Sequence, residues 1–250
     1  MKHVFLLLGA LAALTLRAEM SSVRALEIVL NSKNSTDVKT FEAAKAIVER
    51  DAKAGRPLQR FVIGVTTEDK GLAQQYLTES RGPIRQMAEK NNNSLAWYLL
   101  SLENNDMNCL RKAADGGNVQ ALNAFGMISL QEALRRHDFT GISTNELEKT
   151  LKHSFECFSK TAAQRDTNGF INLGTCYLRG FGCKADLALA FACFKAAAEA
   201  GHPEGMDNVS GCYQFGHGVK KDAEQSLYWA MRGRAARGDK AAAKWLEERK

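Results

Sequence analysis

The sequence predicts an all-α fold, a solenoid of stacked two-helix repeats. The first observation is a recurrence. Leu173-Gly174-Thr175-Cys176-Tyr177, followed by Gly180, Gly182 and Asp186, returns 36 residues later as Val209-Ser210-Gly211-Cys212-Tyr213, followed by Gly216, Gly218 and Asp222. The second is that apolar residues within each copy recur at helical spacing. The third is composition: 45% hydrophobic residues with three prolines in 250 residues suit helices throughout.

In the first copy, Gly169, Leu173, Cys176 and Tyr177 fall at i, i+4, i+7 and i+8, one face of a helix. Gly180-Phe181-Gly182 breaks that helix with residues that tolerate positive φ. Asp186 is placed to cap a second helix, whose inner face is Ala190, Cys193, Phe194, Ala197 and Ala198, and Gly201 ends it. Small residues let the two antiparallel helices approach closely. Neither can bury its apolar stripe alone, so the units must stack.

These residues resemble the Sel-one-like repeat family, relatives of the tetratricopeptide repeats. That pattern runs through a Leu-Gly, a Tyr, a Gly-x-Gly-Val turn, an Asp, an Ala-x-x-Trp and a closing Ala-Ala and Gly. The match is strong over residues 165–238, where Asp222, Trp229, Ala235-Ala236 and Gly238 complete the second unit. Cys183 stands where the family usually has Val, and Ser210 replaces the helix glycine. The resemblance implies a right-handed α/α solenoid that acts as a protein or peptide interaction module, an adaptor or scaffold.

Weaker copies run towards the N-terminus. Lys112-Ala113-Ala114-Asp115-Gly116-Gly117 closes a second helix, and Ala121, Phe125 and Gly126 open a new first helix. Gly55-Arg56-Pro57 mirrors Gly201-His202-Pro203, with each proline where a helix starts. Repeat starts at Gly55, Asn91, Gly117, Arg165, Gly201 and Gly238 give spacings of 36, 26, 48, 36 and 37. The unit from Asn91 is shortened, and that from Gly117 holds an insertion around residues 138–148. The solenoid is expected to occupy residues 40–250.

Ahead of it, Met1-Lys2-His3 is a short basic start, and Val4 to Leu14 is an apolar run too short to span a bilayer. Leu16-Arg17-Ala18 offers a cleavage site. Residues 1–18 read as a secretory signal peptide of bacterial type, followed by an N-terminal segment, 19–39. The expected location is the periplasm or the exterior, with no membrane span. Cleavage removes Lys2 and Arg17 and lowers the formal charge from +6 to +4. A balance that modest, without a recognition motif, argues against nucleic acid as a partner. The cluster Arg232, Arg234, Arg237, Lys244, Arg249 and Lys250 reads as a soluble cap on the last repeat.

Six cysteines, Cys109, Cys157, Cys176, Cys183, Cys193 and Cys212, lie in the last 142 residues. An even count in an exported chain suggests disulfides, with 15 possible pairings. Cys109, Cys157 and Cys193 also share the slot of Trp229, and Cys176 shares that of Cys212, which suits cysteine as an apolar filler. The helix-clamping disulfide of the family's cysteine-rich secreted branch falls here on Ala197 or Ala198 and Gly205, so it does not carry over. No metal-ligand spacing, phosphate loop or nucleophile elbow appears, so no cofactor and no catalytic residue is assigned. His202 and His217 read as polar turn residues. Penicillin binding and weak β-lactamase activity, linked to the cysteine-rich secreted relatives, form the alternative function.

The candidate binding residues are Asn172 and Asn208, which hold one slot in successive first helices. By resemblance to tetratricopeptide repeats, an asparagine there faces the groove. Its amide carries donors and an acceptor and can hold a peptide backbone in either sense. The partner is expected to be a protein segment, a cell-envelope component or a host protein.

Overall fold

A computed structural model of the chain describes residues 25–26, 38–140 and 143–249. The predicted signal peptide lies outside them. The described residues form twelve α-helices and no strand: α1 (Val38–Lys53), α2 (Pro57–Thr66), α3 (Lys70–Asn91), α4 (Ser94–Asn104), α5 (Met107–Asp115), α6 (Val119–Thr140), α7 (Thr144–Ala163), α8 (Thr167–Arg179), α9 (Leu187–Glu199), α10 (Pro203–Phe215), α11 (Ala223–Ala236) and α12 (Lys240–Glu247). The fold is an all-α solenoid of helix pairs.

Left-handed residues mark where each pair begins. Gly55, Asn92, Gly117, Arg165, Gly201 and Gly238 all have φ between 46° and 92°. They match the starts read from the sequence, with Asn92 in place of Asn91. At Arg165 a side chain with a Cβ takes this conformation (φ 61°), at a local cost. Side chains then cap four of these first helices. Asn93, Asn118, Asp166 and Asp239 accept backbone N–H bonds from the first turns of α4, α6, α8 and α12. Arg56 and His202 make no such bond and are followed by Pro57 and Pro203, which have no N–H to satisfy. Asp186 and Asp222 cap α9 and α11, as their positions imply.

The described part of the insertion falls in lengthened helices: α6 runs 22 residues and α7 runs 20, against 13 in each of α8, α9 and α10. In the shortened repeat, α4 and α5 run 11 and 9. The chain divides within that repeat into two compact units, Met1–Asp106 and Met107–Lys250. In the first, α1 packs on α2, α2 on α3 and α3 on α4, around Val48, Phe61, Val62, Ile84 and Leu99. The buried carboxylate of Asp51 pairs with Arg50 at 2.9 Å and Arg56 at 3.3 Å.

In the second unit every helix from α5 to α12 packs on the next. Three devices repeat. Gly174 lies against the ring of Phe194, and Gly126 meets Phe158 in the same way. Where Ser210 takes the glycine slot, the phenylalanine slot holds Ala230, and the serine hydroxyl donates to the Ser226 carbonyl at 2.8 Å. The motif tyrosines stack edge-to-face on the preceding pair's second helix: Phe155 on Tyr177 at 5.6 Å, and Phe191 on Tyr213 at 5.5 Å. Finally, Gly182 and Gly218, at φ +69° and +71°, seat the turn of one pair on the backbone of the previous one. A Cβ there would collide with the carbonyls of Leu151 and Leu187.

Candidate amide groove of the second unit

Asn172 lies on α8 and Asn208 on α10, each six residues past the helix cap, Asp166 and His202. Buried Ile171 precedes Asn172 and buried Val209 follows Asn208, and α8 touches α10 directly. Both asparagines are half-buried. Among the described residues neither amide forms a hydrogen bond, so two donors and an acceptor on each remain for a ligand. The same slot is Ala124 in α6 and Trp245 in α12. Trp245, with the Arg249 guanidinium 3.9 Å from its ring centroid, holds that slot in the last helix. The sequence reading passed over it. The available signal was Asp239, which stands six residues upstream as Asp166 does of Asn172.

The adjacent charge is internally satisfied. Asp207, next to Asn208, pairs with Arg237. Arg234 binds Asp239 at 2.6 Å, and Arg232 lies 4.6 Å over the Trp229 ring. With Lys244 paired to Glu248 at 3.8 Å, five of the six C-terminal basic residues are engaged within the fold.

His202 lies in the connection between α9 and α10, as its sequence reading has it, yet it is buried. It is 7% exposed, and neither ring nitrogen has a partner among the described residues. Burial holds its pKa below the usual imidazole value, against the pull of Glu204 and Asp166. His217 does lie in a turn, stacked on exposed Phe215 at 5.7 Å.

Cys157 Sγ and His153 Nε2 form a thiol–imidazole pair at 3.7 Å. Burial pushes the Cys157 thiol up, with Lys160 opposing weakly. A nucleophile needs the opposite shift. No disulfide joins the six cysteines, and no cluster of metal ligands occurs among the described residues. Of the described helices, none is long and apolar enough to cross a membrane.

The Sel1 repeat family matches residues 171–202 and 203–230, the two strongest units. The chain carries Sel1 repeats there. It is similar to a Sel1 repeat protein from Oxalobacter formigenes, with 22% identity, 54% of this chain and 93% of that chain covered, and a TM-score of 0.43. It is also similar to c5321, a protective antigen present in uropathogenic Escherichia coli strains displaying an SLR fold. There the identity is 19%, coverage is 80% of this chain and 44% of that chain, and the TM-score is 0.48. No curated protein matches.

Proposed function

We propose that this chain, which carries Sel1 repeats, is an exported interaction module that holds a protein segment along the first helices of its second unit. The observation that supports this reading is the pair of unpartnered amides, Asn172 and Asn208, at one slot of two touching helices. A backbone laid across them gains two sets of hydrogen bonds. Export rests on the reading of residues 1–18 as a signal peptide and places the work in the periplasm or outside the cell. The module has no catalytic residue assigned to it and acts as an adaptor or scaffold.

Co-purification of the chain from its native envelope identifies the partner, and the intact mass of that sample reports cleavage after Ala18. Partner affinity and melting temperature are then measured for Asn172→Ala/Asn208→Ala. Each net hydrogen bond is worth about 0.5–1.5 kcal/mol, so affinity should fall about tenfold or more while melting changes little. Unchanged affinity with a large drop in melting temperature would show that the asparagines are structural.

A further inference from the structure

Cys183 occupies the slot that Val219 fills in the next repeat. Its Sγ lies 3.5 Å from the carbonyl oxygen of Cys176. That carbonyl also receives the N–H groups of Gly180 and Phe181, so the turn folds back over the end of α8. It brings the second thiol over the residue that carries the first. Both cysteines join one apolar cluster with Leu130 and Phe158. Cys212 and Cys157 lack this arrangement. Cys212, the counterpart of Cys176, has Val219 where a second thiol would sit, and the Cys157 thiol meets His153.

We propose that Cys176 and Cys183 close to an internal disulfide when the chain meets a small-molecule disulfide, strapping this one turn to its own first helix. Cys183 is half-buried and Cys176 fully buried, so Cys183 reacts first. Its thiolate attacks RSSR, forms Cys183–S–SR and expels one thiolate, which takes up a proton as RSH. Cys176 then loses its proton and attacks the Cys183 sulfur, forming the Sγ–Sγ bond and releasing a second RSH. Two protein thiols give up two electrons, and RSSR is reduced to two RSH. Burial pushes both thiols up, Cys176 to about 12. Closure is therefore slow at neutral pH, and its rate rises roughly tenfold per pH unit while the thiolate remains scarce. The strapped turn also holds Gly182, so the bond stiffens the seat on Leu151.

The test uses the full chain, incubated with oxidised glutathione at about pH 8.5. Remaining thiols are alkylated and the chain is cut with trypsin. Cleavage after Arg165, Arg179, Lys184 and Lys195 puts Cys176, Cys183 and Cys193 on separate peptides, 166–179, 180–184 and 185–195. The expected product joins 166–179 to 180–184, with the other four cysteines alkylated. Cys183→Val, which copies the next repeat, should keep the helical spectrum and lose an oxidation-dependent rise in melting temperature of roughly 5 °C. A link from 180–184 to 185–195, a mixture of pairings, or six alkylated thiols after excess oxidant would overturn the proposal. The mapping on the unaltered chain decides the matter even if the variant fails to fold.

Discussion

Replacing Gly174 by alanine should destabilise the second unit by about 1 kcal/mol, although alanine is the better helix former by about 1 kcal/mol. An ideal methyl at Gly174 falls 2.7 Å from Cε1, 2.8 Å from Cδ1 and 3.1 Å from Cζ of Phe194. Comfortable carbon contacts lie at about 3.5–4.0 Å, so the ring would have to retreat by nearly an ångström. It has nowhere to go: Phe194 is 2% exposed and packed in a cluster with Ala190, Met206 and Val209. Overpacking of this kind costs about 1–3 kcal/mol, which outweighs the helical gain. Phe194→Ala alone should cost about 3–5 kcal/mol. In Gly174→Ala/Phe194→Ala the methyl enters vacated space, so the pair should fall short of the sum of the singles by about 1–3 kcal/mol. Ser210 with Ala230 already shows a bulkier residue tolerated opposite a smaller one. Urea denaturation followed by far-ultraviolet circular dichroism and tryptophan fluorescence measures the cycle, provided the two probes coincide. A Gly174→Ala variant as stable as the parent, or singles that simply add, would refute the argument.

Gly218→Ala places a methyl against the Leu187 carbonyl at a φ of +71° and should cost more than about 2 kcal/mol in thermal or chemical melts. Gly211→Ala, with open space at the site, should be neutral or gain up to about 1 kcal/mol, so equal losses at both would contradict the docking role. The lowered pKa of His202 makes the unfolded chain the better proton binder at mildly acid pH. Its contribution to stability is therefore fully present above pH 6.5 and is lost as pH falls through the folded value. His202→Asn should remove that acid sensitivity and add about 1 kcal/mol through a new cap, read as melting temperature against pH; an unchanged pH profile would count against it.

The strong repeats were legible because their signals are local. Gly182 and Gly218 answer a backbone demand, and Asp186 and Asp222 cap the helix that follows them within three residues. Partnerships between helices were not legible. Nothing in the period of 36 says that position 194 faces position 174, so the exchange of Gly–Phe for Ser–Ala needed the packed structure. His202 looked like a turn residue because it stands between Gly201 and Pro203. A first-helix cap wedged among neighbouring helices is buried all the same. Extra residues are legible in the spacing of 48 between Gly117 and Arg165, but the length of α6 and α7 depends on packing partners the sequence does not name. That Asn172 and Asn208 share a slot is legible from spacing, whereas a binding role for an asparagine there comes only from the resemblance to tetratricopeptide repeats. Trp245 belongs to a truncated unit that lacks the rest of the motif.

The seating of Gly182 on Leu151 and of Gly218 on Leu187 joins residues 31 apart in both cases, and both contacts are made to main chain. A joint of that kind does not consult the neighbour's side chains. It should accept any second helix that offers a carbonyl at the right height. This gives the second unit the character of a coupling with a standard thread: a repeat could be copied, removed or exchanged without redesign of the contact. It also suggests why the extra residues of α6 and α7 could be accommodated, because they lie upstream of Leu151 and leave the thread uncut.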